Sequence, residues 1–317
     1  MFEISTLRNG DAPLEYRRER LTGLSCTISP GRLERNLAPP PAPIAPPGDC
    51  PFCPGRLERE TPTFPGGRRI HRGESVTFPN LYPYAATHTV GVITRAHACE
   101  RFEPRQLADA FTGVAESLLG ADGHASINWN YLHSAGASID HPHLQGLVDP
   151  HPSHLHALYL QGSERYLERT GRTYWEALRE HERFTGRYLF GDEVILLASA
   201  VPLGEREVRA LLPVATLEEA IPYFGTLAEG LVRVIDDYRA LGWRAFNLSC
   251  FFGRPGRDRG FFAFCSVISR INPNTASISD SAFMERLHQH PVVMTRPEDL
   301  AAGYRAGSGM TRAGAAR

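Results

Sequence analysis

Residues 133–145 read HSAGASIDHPHLQ and place two histidines, His141 and His143, on either side of one proline. If this segment is extended, side chains two residues apart lie on the same face, so both rings can line one cleft. One ring could bind a metal ion while the other attacks phosphorus, because a neutral imidazole is a nucleophile that forms covalent intermediates. The small residues 136–138 let backbone N–H groups and the Ser138 hydroxyl approach phosphate oxygens. The alternative is a pair of polar histidines in a surface loop, but the clustering favours chemistry.

The composition indicates a globular protein and gives no electrostatic case for a polyanionic partner. The chain has 317 residues, is 42% hydrophobic and carries a formal net charge of −1. That length can bury a large core or hold two domains. No apolar run reaches the roughly 18–20 residues of a membrane span, and the first twenty residues lack the apolar region of a signal peptide. We therefore expect a cytoplasmic protein that binds neither nucleic acid nor membranes.

All 34 basic residues are arginines, and the chain contains no lysine. This excludes mechanisms that need a lysine, such as a Schiff base, pyridoxal phosphate attachment or a P-loop. Any phosphate held by a cationic side chain must be held by arginine or by charged histidine.

Of the six cysteines, Cys50 and Cys53 make a close, motif-like pair. Without an export signal, a C-x-x-C pair indicates metal or redox chemistry rather than a disulfide framework. On a turn, this spacing places two sulfurs on one face, as a tetrahedral ion of the zinc type requires. Two more ligands must come from elsewhere, and His97 and His141 are the candidates. A buried thiol pair, a redox pair and a lost site are the alternatives.

The order of predicted elements indicates a diverged duplication of one strand–strand–helix–strand–strand unit, split near residue 185. Residues 90–94 (VGVIT) predict a strand and residues 104–120 a helix, followed by a strand near 125–132. The same order of predicted strands and helix recurs after residue 192. A charged stretch at 163–184 predicts a helical insert between the two copies. Residues 37–49 are a proline-rich connector. Chance similarity of short elements is the alternative to duplication.

Four segments resemble galactose-1-phosphate uridylyltransferase and its relatives in the histidine-triad superfamily. HSAGASIDHPHLQ resembles the active-site segment, SPGRLERN (29–36) the N-terminal arginine segment, and GDCPFCPGRLERETP (48–62) the zinc loop. TFPNLYPYAATHTVGVITRAH (77–97) resembles the asparagine-containing stretch that leads to a further zinc histidine. The resemblance covers roughly residues 20–150. It implies an α+β fold of two tandem half-barrel units, antiparallel sheets with helices packed on them, at residues 1–184 and 185–317.

The resemblance also implies roles for individual residues. His143 would be the nucleophile that takes the nucleotidyl group, and Gln145 would hydrogen-bond the phosphoryl oxygens of the covalent intermediate. Cys50, Cys53, His97 and His141 would hold a structural zinc ion. Ser138, Asn130, Arg32 and Arg35 would contact phosphates, the two arginines from across a homodimer. Asn80 would contact the sugar or base of the nucleotide.

Two features refine the expected function. Glutamine at position 145 cannot shuttle a proton near pH 7, whereas a third histidine there could serve hydrolysis. The segment 262–270 (FAFCSVISR) lacks the histidines of the family's second metal site, which puts a hexose-phosphate acceptor in doubt. We therefore expect a nucleotidyltransferase that moves a nucleoside monophosphate from a nucleotide-sugar or nucleoside triphosphate to a phosphorylated acceptor. The alternatives are a nucleotide-sugar or dinucleotide phosphorylase and a non-catalytic nucleotide-binding protein.

Overall fold

The computed structural model describes residues 1–9, 12–34, 48–271 and 280–306. Arg35 and residues 37–47 of the proline-rich connector lie outside these described residues. The strands are β1 (Phe2–Asn9), β2 (Ala12–Glu19), β3 (Ser25–Ile28), β4 (Ile70–Arg72), β5 (Ser75–Pro79), β6 (Thr87–Val92), β7 (His124–Tyr131), β8 (His143–Asp149), β9 (Tyr188–Phe190), β10 (Ile195–Ala198), β11 (Val208–Leu211), β12 (Phe246–Phe251), β13 (Phe264–Ser269) and β14 (Val292–Val293). The helices are α1 (Leu57–Glu60), α2 (Pro104–Leu118), α3 (His154–Thr170), α4 (Tyr174–Phe184), α5 (Leu217–Ala220), α6 (Phe224–Ala240), α7 (Phe283–Arg286) and α8 (Pro297–Arg305).

Ten strands form one antiparallel sheet in the order β4-β5-β6-β8-β7-β12-β13-β11-β10-β9. Each half of this sheet repeats one order of elements, with α2 following β6 in the first half and α6 following β11 in the second. The halves join where β7 pairs with β12. The expected α+β class is confirmed, and the sheet is open rather than closed into a barrel. We propose that the two units comprise residues 1–184 and 185–317.

A second sheet of four strands, β1-β2-β3-β14, brings the two ends of the described chain together. The short strand β14 pairs in parallel with β3. Buried Arg17 on β2 binds Glu298 on α8 at 2.8 Å, and Glu298 also binds Arg187 at 3.0 Å. Burial alone would raise the pKa of Glu298, but hydrogen bonds and charge from the two arginines outweigh it and hold the pKa at about 2. Sequence periodicity could not predict the pairing of β14 with β3, because those two strands are more than 260 residues apart in the chain.

Helices α2 and α6 pack against the large sheet and against each other, and they close the core. In α2, Pro104 occupies the first turn, and a reciprocal capping box between Glu103 and Gln106 satisfies the N-terminal amides. The apolar residues of this helix are buried at the predicted spacing: Leu107, Phe111, Val114 and Leu118. The predicted helix over 104–120 is therefore confirmed. The charged insert starts earlier than predicted and forms two helices, because Gly171 ends α3 with φ +73°.

Glycines in two neighbouring strands let α2 lie directly against the sheet. A Cβ atom built on Gly146 of β8 would lie 2.5 Å from a methyl carbon of Val114. One on Gly91 of β6 would lie 2.4 Å from the other methyl carbon of the same valine. The helix therefore rests on bare backbone three residues beyond His143. Among the described helices, none combines the length and apolarity needed to cross a bilayer.

Candidate functional site

A tight turn positions the two cysteines of the C-x-x-C pair. The Cys53 amide donates to the carbonyl of Cys50 at 3.3 Å, and the amides of Arg56 and Leu57 both donate to the carbonyl of Cys53 at 3.1 Å. The ligand atoms of Cys50, Cys53, His97 and His141 lie within 4.8 Å of one another. The structure therefore brings together all four residues that the sequence singles out for a metal ion.

The chemistry of this donor set fits a tetrahedral metal. Nδ1 of His141 lies 3.8 Å from the Cys50 sulfur and 3.6 Å from the Cys53 sulfur, and Nδ1 of His97 lies 3.4 Å from the Cys53 sulfur. Ligand atoms at zinc-like bond lengths of about 2.0–2.3 Å are about 3.3–3.8 Å apart in a tetrahedron. The opposite nitrogen of His141 donates to the carbonyl of Thr94 at 2.8 Å, which leaves the Nδ1 lone pair facing the sulfurs. Burial lowers the pKa of His141 to about 4, so its ring is neutral at pH 7.

His143 opens strand β8 and pairs with Val92 of β6. Its Nδ1 donates to the backbone carbonyl of His141 at 2.8 Å, which fixes the tautomer and leaves the lone pair on Nε2. Burial lowers the pKa of His143 despite the raising effect of that hydrogen bond, so the ring is neutral at pH 7. The ring of Phe52 packs edge-on against it with centroids 5.2 Å apart.

The nucleophilic edge of the His143 ring is not sealed. The residue as a whole is only 6% exposed. Nε2 nevertheless has no hydrogen-bond partner in the described part of the chain, and it is absent from the polar atoms buried without a partner. The imidazole is therefore anchored at Nδ1, packed against Phe52 and open at the atom that would attack.

The loop before the two histidines is more tightly folded than the sequence predicts. The amides of Ala135 and Ala137 both donate to the carbonyl of Leu132, and the Gly136 amide donates to the carbonyl of His133. Leu132 itself has φ +70°, a backbone conformation that favours glycine. Neighbouring carbonyls therefore already use the amides of Gly136 and Ala137, which leaves Ser138 as the remaining small residue of the predicted phosphate-binding stretch.

What the loop presents to solvent is Ser138. Its side chain is exposed, and none of the described backbone hydrogen bonds uses its amide. The exposed His133 ring bridges the ends of the loop: Nδ1 donates to the carbonyl of Ala137 at 2.7 Å, and Nε2 lies 3.8 Å from Asp140. The hydroxyl and amide of Ser138 are therefore available as donors.

Asn130 lies in the same cross-strand row as the nucleophile. The pairing of β7 with β8 ends at Asn128 and Gln145, and continuing that register by two residues on each strand brings Asn130 level with His143. On its other side, Asn130 pairs with Asn247 of β12. Asn247 donates its amide to the side-chain oxygen of Asn130 at 2.7 Å. The sequence analysis did not identify Asn247, because only the register between the two halves of the sheet reveals it.

Gln145 is oriented by two residues that the sequence analysis also missed. Its side-chain oxygen accepts from the Tyr84 hydroxyl at 3.0 Å and lies 2.9 Å from Nε2 of buried His88. The Tyr84 amide in turn donates to Nδ1 of His88 at 3.4 Å. These contacts occupy the oxygen of Gln145 and leave its NH₂ group to act as a donor. The sequence did contain a signal for His88: it lies two residues before Val90, on the strand that pairs with Gln145.

The remaining predicted residues lie at different distances from this centre. Asn80 accepts from the Tyr82 amide at 2.8 Å, and its NH₂ group lies 2.9 Å from His88, so it borders the Gln145 cluster. Arg32 is exposed in a short 3₁₀ turn after β3, and no described hydrogen bond or ion pair joins it to the strands around His143. Arg35 lies outside the described residues.

The arrangement combines a neutral imidazole, open at one nitrogen, with amide and hydroxyl donors around it. Gln145 and Asn130 each have an NH₂ group available, and Ser138 adds a hydroxyl. Uncharged donors of this kind stabilise negative charge that develops on phosphoryl oxygens. The four-residue metal cluster is joined to the nucleophile through the backbone of residues 141–143. Such a site can attack a phosphorus centre and hold the product of that attack.

Comparison with known proteins supports the same fold. The ADP-glucose phosphorylase of Arabidopsis thaliana, solved with bound ADP-glucose, is 17% identical with a TM-score of 0.73, covering 92% of this chain and 98% of that one. A uridylyltransferase structure is 19% identical with a TM-score of 0.65, covering 92% and 97%. An uncharacterized protein of Archaeoglobus fulgidus is 27% identical over 270 residues, 80% of this chain and 79% of that protein. No family model matches the chain. The chain therefore has the fold of these nucleotide-handling proteins, as the sequence resemblance predicts.

Proposed function

We propose that the protein is a nucleotidyltransferase that works through a covalent nucleotidyl-His143 intermediate. Nε2 of His143 attacks the α-phosphorus of a nucleotide-sugar or nucleoside triphosphate, a nitrogen–phosphorus bond forms, and the bond to the leaving phosphate breaks. A phosphate oxygen of a second substrate then attacks the same phosphorus and releases His143. The observation that carries this proposal is the His143 ring, anchored through Nδ1 and open at Nε2.

The neighbouring side chains have defined parts in this reaction. Gln145 and Asn130 donate their NH₂ groups to the phosphoryl oxygens, and Ser138 contacts the phosphate of the substrate or leaving group. Glutamine at position 145 favours transfer over hydrolysis, because it supplies hydrogen bonds but no titrating proton. Asn80 contacts the sugar or base of the nucleotide. Arg32 contacts a substrate phosphate of a homodimer partner, and Arg35 shares that role in the same proposal.

The metal is zinc and its role is structural. Cys50, Cys53, His97 and His141 hold it, and it supplies a rigid anchor for the loop that carries His141. Because the His141 carbonyl accepts from Nδ1 of His143, that anchor also fixes the direction of the nucleophile. The protein side chains, rather than the metal, contact the substrate.

A second candidate is a phosphorylase that uses the same intermediate with inorganic phosphate as the acceptor. The observation that favours it is the fold shared with the Arabidopsis ADP-glucose phosphorylase. The exposed Ser138 loop can receive either a free phosphate or the phosphate of a larger acceptor. The two reactions differ only in the second half, so the acceptor decides between them.

The proposal is tested by incubating the zinc-loaded protein with UDP-glucose, ADP-glucose, GDP-mannose, dTDP-glucose and the four nucleoside triphosphates. Intact-mass spectrometry at alkaline pH should show the addition of one nucleoside monophosphate. His143→Ala should lose this addition, and His71→Ala, which removes an exposed histidine on edge strand β4, should keep it. If wild type and His143→Ala add the nucleoside monophosphate to the same extent, the proposed enzyme is refuted, and the non-catalytic nucleotide-binding protein is the remaining interpretation. Adding inorganic phosphate or hexose 1-phosphates to the adduct then identifies the acceptor.

A further inference from the structure

We propose that Asn247 is a positioning residue, supplied by the second half of the sheet, that orients the Asn130 amide toward the phosphoryl group. The inference deepens the proposed function and rests on it. Asn247 lies on β12, directly across from Asn130 on β7, and continues the row that contains His143. The second half of the chain, which lacks a histidine nucleophile of its own, would thus take part in the chemistry of the first.

The hydrogen-bond network assigns the amide of Asn247 without ambiguity. Arg270 donates to the side-chain oxygen of Asn247 at 2.7 Å, and a guanidinium can only donate. The NH₂ group of Asn247 must then face the other way, where it donates to the carbonyl of Ala135 at 2.8 Å and to Asn130 at 2.7 Å. A backbone carbonyl can only accept, so both ends of Asn247 are fixed by groups of fixed polarity.

The orientation of Asn130 follows from that of Asn247. Because Asn247 presents a donor, Asn130 must present its oxygen, and its own NH₂ group is turned away from β12. That NH₂ group lies beside the loop: a Cβ atom built on Gly136 would be 4.0 Å from it. It has no partner of its own in the described part of the chain. The NH₂ group of Asn130 therefore lies on the side of the Ser138 loop, where the proposed function places the phosphoryl group.

The source of this orientation is an ion pair in the C-terminal half. Arg270 binds the carboxylate of Asp280, which also accepts from the Ile271 amide at 3.1 Å. The chain of contacts runs from Asp280 through Arg270 and Asn247 to Asn130. Asn247 touches no reacting atom, and it acts through two neighbours, the Asn130 amide and the Ala135 carbonyl of the loop that carries Ser138.

The decisive variant is Asn247→Asp, which keeps the size of the side chain and its partner Arg270. A carboxylate can only accept, so Asn130 must rotate its NH₂ group toward position 247 and present its oxygen to the phosphoryl group instead. We expect the rate constant of adduct formation, at saturating donor, to fall about 10²-fold, the usual effect of losing one donor to a developing oxyanion. The pair with Arg270 is preserved, but the carboxylate faces the Ala135 carbonyl, so the melting temperature should fall modestly while the protein stays folded. The probe is the donor that gives the largest adduct with wild type.

Three further variants separate orientation from other causes. Ser249→Asp adds the same charge two residues along β12 on the same face, opposite Asn128, and should slow the reaction much less. Asn247→Ala removes the orienting donor without adding charge and should cost about 10-fold. In the background of Asn130→Ser, the change Asn247→Asp should have a much smaller further effect, because only its contact with the Ala135 carbonyl remains.

The outcomes distinguish this inference from the proposed function. A wild-type protein that forms no adduct with any donor would sink both. A wild-type adduct with an undiminished rate in Asn247→Asp would overturn the positioning role and leave His143 as the nucleophile. Equal losses in Asn247→Asp and Ser249→Asp would assign the effect to charge and likewise overturn it. If Asn247→Asp melts early, the Asn247→Ala rate decides alone.

Discussion

The close contact between α2 and strand β8 leads to a quantitative prediction for Gly146→Ala. The added Cβ atom would lie 2.5 Å from a methyl carbon of Val114, 2.7 Å from the Thr89 hydroxyl and 3.1 Å from a methyl carbon of Leu118. Ordinary van der Waals separations between such atoms are about 3.5–4.0 Å, so the helix or the strand must move by about 1 Å. Overpacking of this kind costs about 1–3 kcal/mol of stability.

The same displacement should affect the reaction. Gly146 lies three residues beyond His143 on one strand, and a misplacement of about 1 Å can cost about 10²-fold in rate. We expect Gly146→Ala to lower the denaturant midpoint, followed by tryptophan fluorescence, and to slow adduct formation at the same time. Val114→Ala should relieve the shortest contact, so the double variant should lose less stability than the sum of the two single variants.

A matched control makes the prediction sharper. Gly225 is exposed in the first turn of α6, and a Cβ atom there would meet nothing within 4 Å. Gly225→Ala should therefore stabilise the protein by about 0.4–1 kcal/mol, the opposite sign for the same chemical change. A Gly146→Ala protein as stable as Gly225→Ala would refute the close packing of α2 on β8.

Three other perturbations test separate parts of the structure. Cys50→Ser should reduce zinc, measured by plasma mass spectrometry, well below one ion per chain and lower the melting temperature, whereas Cys99→Ser, at a buried cysteine outside the cluster, should keep the metal; equal zinc in both would contradict the assignment. Glu298→Gln should lower the melting temperature at pH 7; because pairing with Arg17 depresses the folded pKa to about 2, the difference from wild type should shrink as the pH falls from about 4.5 toward 2, and a pH-independent difference would argue against the pair. Gln145→His should raise hydrolysis of the adduct relative to transfer, and an unchanged ratio of the two products would remove the role given to glutamine.

Local sequence patterns anticipate those parts of the protein that depend on residues close together in the chain. The apolar spacing of Leu107, Phe111 and Val114 predicts α2, and the structure gives a helix at Pro104–Leu118. The C-x-x-C spacing predicts two sulfurs on one face of a turn. The distant histidines are candidate ligands from the sequence, and the family resemblance assigns them to the site, because nothing local in the sequence connects positions 53 and 97.

The features that sequence reasoning missed depend on strand register across the sheet. Asn247 meets Asn130 because β12 pairs with β7, and those two positions are 117 residues apart. His88 meets Gln145 across β6 and β8, 57 residues apart. A one-residue slip in either pairing would turn these side chains to the opposite face, so composition and periodicity cannot predict the contacts.

The phosphate loop shows a different limit of sequence reasoning. Small residues at 136–138 permit a close backbone approach, but they do not say which amides remain available. The turn that starts at Leu132 uses the amides of Ala137 and its two preceding neighbours, leaving Ser138. A loop could bind phosphate through successive amides or offer a single exposed serine. The backbone hydrogen bonds of the folded protein distinguish these two cases, because they show which amides are already used.

The central claim is that Nε2 of His143 forms the bond to phosphorus, and ³¹P–¹⁵N NMR of the adduct tests it most directly. Protein labelled with ¹⁵N-histidine and incubated with its nucleotide donor should show one phosphorus resonance coupled to the Nε2 nitrogen of His143, and none in His143→Ala. Coupling to Nδ1, to another histidine, or the absence of any nitrogen–phosphorus bond during turnover would contradict the account.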